Sequence, residues 1–217
     1  MSIITISIII VTVIVSFIAL NNERLMDKLI FYPPAVTDNR EYYRFVSCGF
    51  IHADMFHLIF NMFTFYSFGT VVIEPVFNHL FGVYGGVLYL LFYLSALVVS
   101  VVPTYFKNKD NSSYRSLGAS GAVSAIVFAG IIINPLMQLS LIIIPIPFPA
   151  FIFGFAYLLI TYYLDKRGSG NINHSAHLWG ALYGIIFIIV IAKLFAGTDL
   201  LTNFVIQVKG YIQDKFS

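Results

Sequence analysis

Repeated apolar runs, each close to the length that crosses a bilayer, constrain this chain more than any other feature. Ser2 to Leu20 is almost continuously apolar, and about 20 such residues suffice to span the hydrocarbon layer. Further runs follow at about 56–73, 80–106, 117–134, 147–164 and 176–195. Only 10% of the residues are charged, where a soluble domain would carry about a quarter. The expected fold is an all-α membrane protein, a single domain over 1–217 with six transmembrane helices. The first run lacks a basic leader and a small-residue cleavage site, so it is expected as a retained helix and not a signal peptide. The polar stretch Asn21 to Asp54 still holds Phe31, Tyr32, Tyr42 and Tyr43. Aromatic side chains of this kind favour the interfacial zone, so a first loop folded onto the membrane surface is expected. The tail, 197–217, spaces Leu200, Phe204, Ile206 and Tyr211 loosely and is expected along the interface.

Several function classes drop out on simple grounds. A net charge of +2 is too small to argue for a nucleic-acid partner. The single cysteine, Cys48, excludes an intramolecular disulfide. No Cys-x-x-Cys, Gly-rich phosphate loop or His-Glu-x-x-His pair is present, so neither a cofactor nor the usual intramembrane metalloprotease site is expected. His52, Asp54, His57 and His177 could be drawn as a metal set, but no pair of them has ligand spacing on one helix. No metal is expected. Nothing in the chain specifies an oligomeric state.

The polar residues inside the apolar runs carry the chemistry. Gly118-Ala119-Ser120-Gly121 opens the fourth run. A serine hydroxyl needs a base to become a nucleophile, and small flanking residues leave room for a substrate carbonyl. The same small residues also fit a helix-packing surface, so this stretch alone decides nothing. Parity adds information. The second, fourth and sixth runs enter the membrane from the same face, and Asn61, Ser120 and His177 lie within roughly the first turn or two of them. At about 1.5 Å rise per residue, all three have a similar, shallow depth. His57 and Asn61, four apart, share a helix face; they can tie helices together or donate to a developing oxyanion. His177 stands three residues before Gly180, and Gly180 with Gly184 forms a Gly-x-x-x-Gly face for close packing. A neighbour with its own small residues, such as the fourth run, would bring His177 to Ser120.

Taken together, four pieces resemble the rhomboid intramembrane serine proteases of the compact, six-helix bacterial type. They are Tyr43-Arg44, His52 with His57 to Met62, Gly118 to Gly121, and Ala176-His177 with Gly180 and Gly184. The resemblance runs from about Tyr43 to Gly184. It implies Ser120 as nucleophile and His177 as general base. His57, Asn61 and the Ser120 backbone N–H would form the oxyanion hole. Arg44 would pin the first loop, Glu74 would be a structural carboxylate, and Gly118, Gly121, Gly180 and Gly184 would permit close packing. Two positions depart from the pattern: Tyr43 replaces the usual tryptophan, and Ser124 stands where an aromatic often stacks on the catalytic histidine.

The implied partners are the lipid bilayer and transmembrane protein substrates, cut at a small residue near helix-breaking residues. The implied gate is the fifth run with the loop Asp165 to Ser175. The implied location is the bacterial inner membrane, with the site on the extracytoplasmic side. That orientation puts Arg24, Lys28, Arg40, Arg44, Lys107, Lys109, Arg115, Lys166 and Arg167 outside, against the positive-inside rule. The resemblance is followed because the long first loop is mixed in sign. A catalytically silent rhomboid-like protein that binds membrane helices is the alternative; retention of Ser120, His177, His57 and Asn61 argues against it. A small transporter would show internal repeats and polar residues near the midplane, and neither is found.

Overall fold

The computed structural model describes residues 2–140, 146–168 and 172–216. Among the described residues the all-α expectation holds, with one hairpin of two-residue strands as the exception. Helix α1, Ile3–Leu20, turns Thr5, Ile8, Thr12, Ser16 and Ala19 inward. That spacing of three and four residues is one helical face, and here the inward face is the more polar one. Ile3, Ile10, Ile14 and Phe17 point outward, as expected of a helix surrounded by lipid. By length and composition, Ile3–Leu20, the run Met55–Asn108 and His174–Ala196 can cross a membrane, and Ser120–Ile133 is a shorter apolar helix.

The first loop is folded. It holds three short helices, α2 (Glu23–Leu29), α3 (Pro33–Asn39) and α4 (Arg44–Ser47), of which α2 and α4 meet. Arg44 is buried, and its Nη1 donates to the carbonyls of Asp27 and Ile30, each at 2.7 Å. Its Nε pairs with Glu41, and that hydrogen bond holds the Glu41 carboxyl below the usual carboxylate range. Tyr43, in the position of the familiar tryptophan, lies against the Arg44 guanidinium at 5.5 Å.

The second span is longer than the sequence suggests. Helix α5, Met55–Phe68, passes through a π turn at Gly69–Ile73 into α6, Glu74–Phe81, where a stop at Ile73 was expected. The chain turns only at Gly82, with φ +55°, so α7 starts at Gly85 and runs to Asn108. Polar Glu74, Asn78 and His79 suggest an earlier break, but they lie inside α6, and the turn comes among apolar residues. At the π turn, Gly69 lies against Thr5 and the Tyr89 hydroxyl. Glu74 then reaches the start of α1: its oxygens accept from the Ile4 and Thr5 N–H groups at 3.0 Å and from Thr5 Oγ1 at 2.7 Å. A carboxylate at a helix N-terminus satisfies otherwise orphaned donors.

Helix α8, Ser120–Ile133, is the axis of the bundle, with every residue from Gly121 to Ile132 buried. It is apolar all round, as a fully enclosed helix must be. The hairpin β1 (Gln138–Leu139) and β2 (Phe148–Pro149) joins it to α9, Ala150–Arg167. The expected start of the fifth span at 147 moves to Ala150, after the strand. Helix α10 is His174–Ala196, and α11 is Leu200–Phe216. The tail is thus a helix, with Leu200 buried and Tyr211 packed on Phe151 at 5.7 Å. Pro145 in the expected hydrophobic loop and Gly170 in the expected gate loop lie outside the described residues.

Contacts fix the helix directions. Gly180 meets Gly121 and Gly184 meets Ala125, so α10 runs parallel to α8. His57 meets Gly118 and Phe68 meets Gly130, so α5 is parallel to it as well. All three therefore start at the same end of the bundle.

Candidate active site

Helix α8 begins at Ser120 without a side-chain cap. Its first N–H groups, that of Ser120 among them, have no helical acceptor and make a natural site for negative charge. Gly118, two residues earlier, sits at φ +113°, a conformation that favours glycine. A Cβ there would stand 2.7 Å from His57 Cε1. Gly118 is therefore required twice, by its backbone and by the imidazole pressed against it.

Helix α10 delivers His177 to this point. Asn173 caps the helix by accepting the Ala176 N–H at 3.0 Å, and its side chain also joins Thr104 of α7 and Ser116. Asparagine just before an apolar helix is a standard start signal, one that sequence reasoning missed at Asn173. One turn later, His177 Nε2 lies 2.7 Å from Ser120 Oγ. The approach depends on glycine: Cβ atoms on Gly180 and Gly184 would fall on the carbonyl oxygens of Gly121 and Ala125. Gly121 is similarly confined by the Ser100 side chain. Both residues of the Ser120–His177 pair are partly exposed, so reactants can reach them.

His57 and Asn61 come from the first two turns of α5. Asp54 caps that helix, accepting the His57 N–H at 2.7 Å. Asn61 is buried and donates from Nδ2 to the His57 carbonyl at 2.9 Å. That leaves the second Nδ2 hydrogen for another acceptor. The His174 ring stands 6.0 Å from that of His177, edge to face. Among the described residues, Ser120 is the hydrogen-bond partner of the His177 ring, and no carboxylate orients it.

Of the expected residues, Ser120, His177, His57, Asn61, Gly118, Gly121 and Gly180 gather at one end of the bundle, and Gly184 lies one turn deeper, against Ala125. Arg44 lies in the first loop, and Glu74 opens α6 just after the π turn, bonded to the start of α1. Ser124, which replaces the expected stacking aromatic, shares a hydrogen bond of 2.9 Å with the Tyr157 hydroxyl of α9. Cys48 takes no part in this chemistry. Burial pushes its thiol up to about 12, which keeps it protonated, although its carbonyl accepts the Gly118 N–H at 2.9 Å. Sequence reasoning left His52 without a role. It is fully buried and its ring lies 4.9 Å from that of His57.

Residues 39–194 match the Rhomboid domain family. The chain is 34% identical over 148 residues to RHOMBOID-like protein 12, mitochondrial, of Arabidopsis thaliana, a match covering 65% of this chain and 44% of that protein. It is 31% identical over 144 residues to the presenilin-associated rhomboid-like protein, mitochondrial, of Homo sapiens, covering 64% of this chain and 35% of that one. This chain therefore matches less than half the length of these relatives. With a helical bundle built around Ser120–Ile133 and a domain match over most of its residues, this protein belongs to the rhomboid family.

Proposed function

We propose that the chain is an intramembrane serine endopeptidase that hydrolyses peptide bonds in or near transmembrane segments through a Ser120–His177 dyad. The observation that carries this reading is the 2.7 Å approach of His177 Nε2 to Ser120 Oγ at the uncapped start of α8. His177 Nε2 accepts the Ser120 proton as Oγ attacks the scissile carbonyl carbon. The same nitrogen returns that proton to the leaving amine, giving an acyl-enzyme that water then hydrolyses. His57, the free hydrogen of Asn61 Nδ2 and the Ser120 N–H serve as donors to the oxyanion. Such donors gain strength where water is scarce, and losing one costs about 2.7–4 kcal/mol in known hydrolases.

The reading extends to a six-span arrangement with α5, α8 and α10 entering from the catalytic face. A substrate helix has satisfied backbone bonds, and these must open before a carbonyl is exposed in lipid. Membrane-spanning segments with helix-breaking residues near one end are the fitting substrates, and α9 with the loop after it is the element that admits them. With several helices able to cross a membrane, such an enzyme is a multi-pass integral membrane protein. The bacterial inner membrane expected from the sequence gains nothing from relatives with mitochondrial names.

The test compares wild type with Ser120→Ala and His177→Ala in liposomes, using a generic membrane-helix substrate and a serine-directed fluorophosphonate. Wild type should cleave and label, and both variants should lose both. Folded wild-type protein that neither cleaves nor labels would replace this reading with that of a helix-binding, catalytically silent relative.

A further inference from the structure

His52 is wholly enclosed, yet the proton transfers above make no use of it. Both of its ring nitrogens are engaged. Nε2 faces the Ala119 N–H at 3.4 Å, and Nδ1 lies 2.9 Å from Ser16 Oγ of α1. A backbone N–H can only donate, so Nε2 is the acceptor and the ring proton sits on Nδ1. Nδ1–H then donates to Ser16 Oγ, and the Ser16 proton goes to the Phe50 carbonyl at 2.9 Å. Every donor and acceptor in this chain is used once and in one direction. Burial pushes the imidazole down to about 3, consistent with the neutral form that this direction demands.

The chain ends on the peptide between Gly118 and Ala119. The preceding peptide is held as well, because the Gly118 N–H donates to the Cys48 carbonyl at 2.9 Å. Gly118 is thus clamped on both sides in its positive-φ conformation, and Ser120 follows directly. We propose that Ser16 and His52 are positioning residues for the nucleophile, with Ser16 fixing the His52 tautomer and His52 fixing the backbone from which Ser120 projects. The first transmembrane helix thereby acts on the reacting serine through one imidazole, which rests on the reading of Ser120 as the nucleophile.

Three variants test this. Ser16→Ala removes the acceptor for Nδ1–H and frees the ring to place its proton on Nε2, where it would oppose the Ala119 N–H. Fluorophosphonate labelling and kcat should both fall about tenfold with KM unchanged, less than the hundredfold of a full 1 Å misplacement. His52→Leu removes the acceptor outright and should cost about a hundredfold. His52→Gln places an amide near the Nε2 position and should recover about tenfold over His52→Leu, a rescue that lost packing would not give. The nitrogen-15 spectrum of the His52 ring should show the Nδ1–H tautomer in wild type and a mixture in Ser16→Ala. Wild-type labelling in Ser16→Ala, a change confined to KM, or an Nε2–H ring in wild type would overturn the proposal. The ring spectrum needs no catalysis. A wild type that shows the Nδ1–H ring yet never labels would refute the protease reading and leave the Ser16–His52 clamp standing.

Discussion

Helix α8 is held on two sides in two different ways. Against α10 the contact is backbone on backbone: Gly180 and Gly184 rest on the carbonyls of Gly121 and Ala125 with no room for one carbon atom more. Against α9 the contact is made by side chains. Tyr157 reaches Ser124 with a single hydrogen bond and packs its ring at 5.4 Å on Phe128. Helix α9 buries Ala150, Phe151, Gly154 and Thr161, while Phe155, Leu159 and Ile160 face outward. The seam that carries Ser120 and His177 is therefore the tighter one, and the neighbouring seam, held by side chains, is the one that the proposed function would have part. On the proposed function, a dyad needs fixed geometry and a helical substrate needs a way in, and two faces of one helix would divide these demands.

The largest effect should come from Gly184→Ala. Its new Cβ would overlap a backbone oxygen, which no rotamer change can relieve. Overpacking usually costs about 1–3 kcal/mol, and this site should sit at or above the upper end. Denaturant titration in detergent should show a large drop in stability, with Gly180→Ala close behind. If either variant folds and labels like wild type, the two seams are equally soft and the comparison fails.

Gly118→Ala comes next and separates the site from the fold. A residue other than glycine held in a sparsely populated backbone region costs about 1–3 kcal/mol, and the added methyl presses on His57 at 2.7 Å. Because the strain lies at the mouth of the bundle and not between α8 and α10, labelling of Ser120 should suffer more than the unfolding midpoint. Equal loss in both measurements would mean that the loop before Ser120 belongs to the same rigid unit.

The rigid seam was largely legible in the sequence, and the soft one was not. Gly180, Gly184 and His177 carry their message in spacing along a single helix, and shared depth at the starts of three runs groups Asn61, Ser120 and His177. The Ser124–Tyr157 and Ser16–His52 bonds depend on which helix stands beside which, and no one-dimensional spacing encodes that. Ser124 could be noticed only as a missing aromatic. The break at Gly82 was hidden for a different reason: Glu74, Asn78 and His79 have the composition of a loop yet lie inside α6, while Leu80, Phe81, Val83 and Tyr84 flank the actual turn. Helix α11 escaped because its apolar residues are too loosely spaced to mark one face.

On the soft seam the same glycine-to-alanine change should have the opposite sign. A Cβ on Gly154 would meet Ile131 Cδ1 at 3.4 Å, an ordinary contact. Alanine in a helix interior is favoured over glycine by about 0.5–1 kcal/mol. Gly154→Ala should therefore leave stability unchanged or slightly raised. A loss as large as that of Gly184→Ala would show that α9 is packed as tightly as α10.

The smallest expected effect is the most informative about the seam itself. Tyr157→Phe keeps the ring against Phe128 and Phe153 and deletes only the bond to Ser124. Interhelical hydrogen bonds within membranes average about 0.6 kcal/mol, so global unfolding should barely change. If α9 is the element that parts, its amides should exchange with deuterium faster while those of α8 and α10 stay protected. Cleavage of a membrane-helix substrate should rise by about the threefold that 0.6 kcal/mol represents, while fluorophosphonate labelling of Ser120 stays constant because a small reagent does not need α9 to move. Ser124→Ala should reproduce both results, and the double variant should add nothing further, since each removes the same bond. Faster exchange spread evenly over α8, α9 and α10 would dissolve the distinction between the two seams, because the bond would then support the whole bundle and not one of its faces.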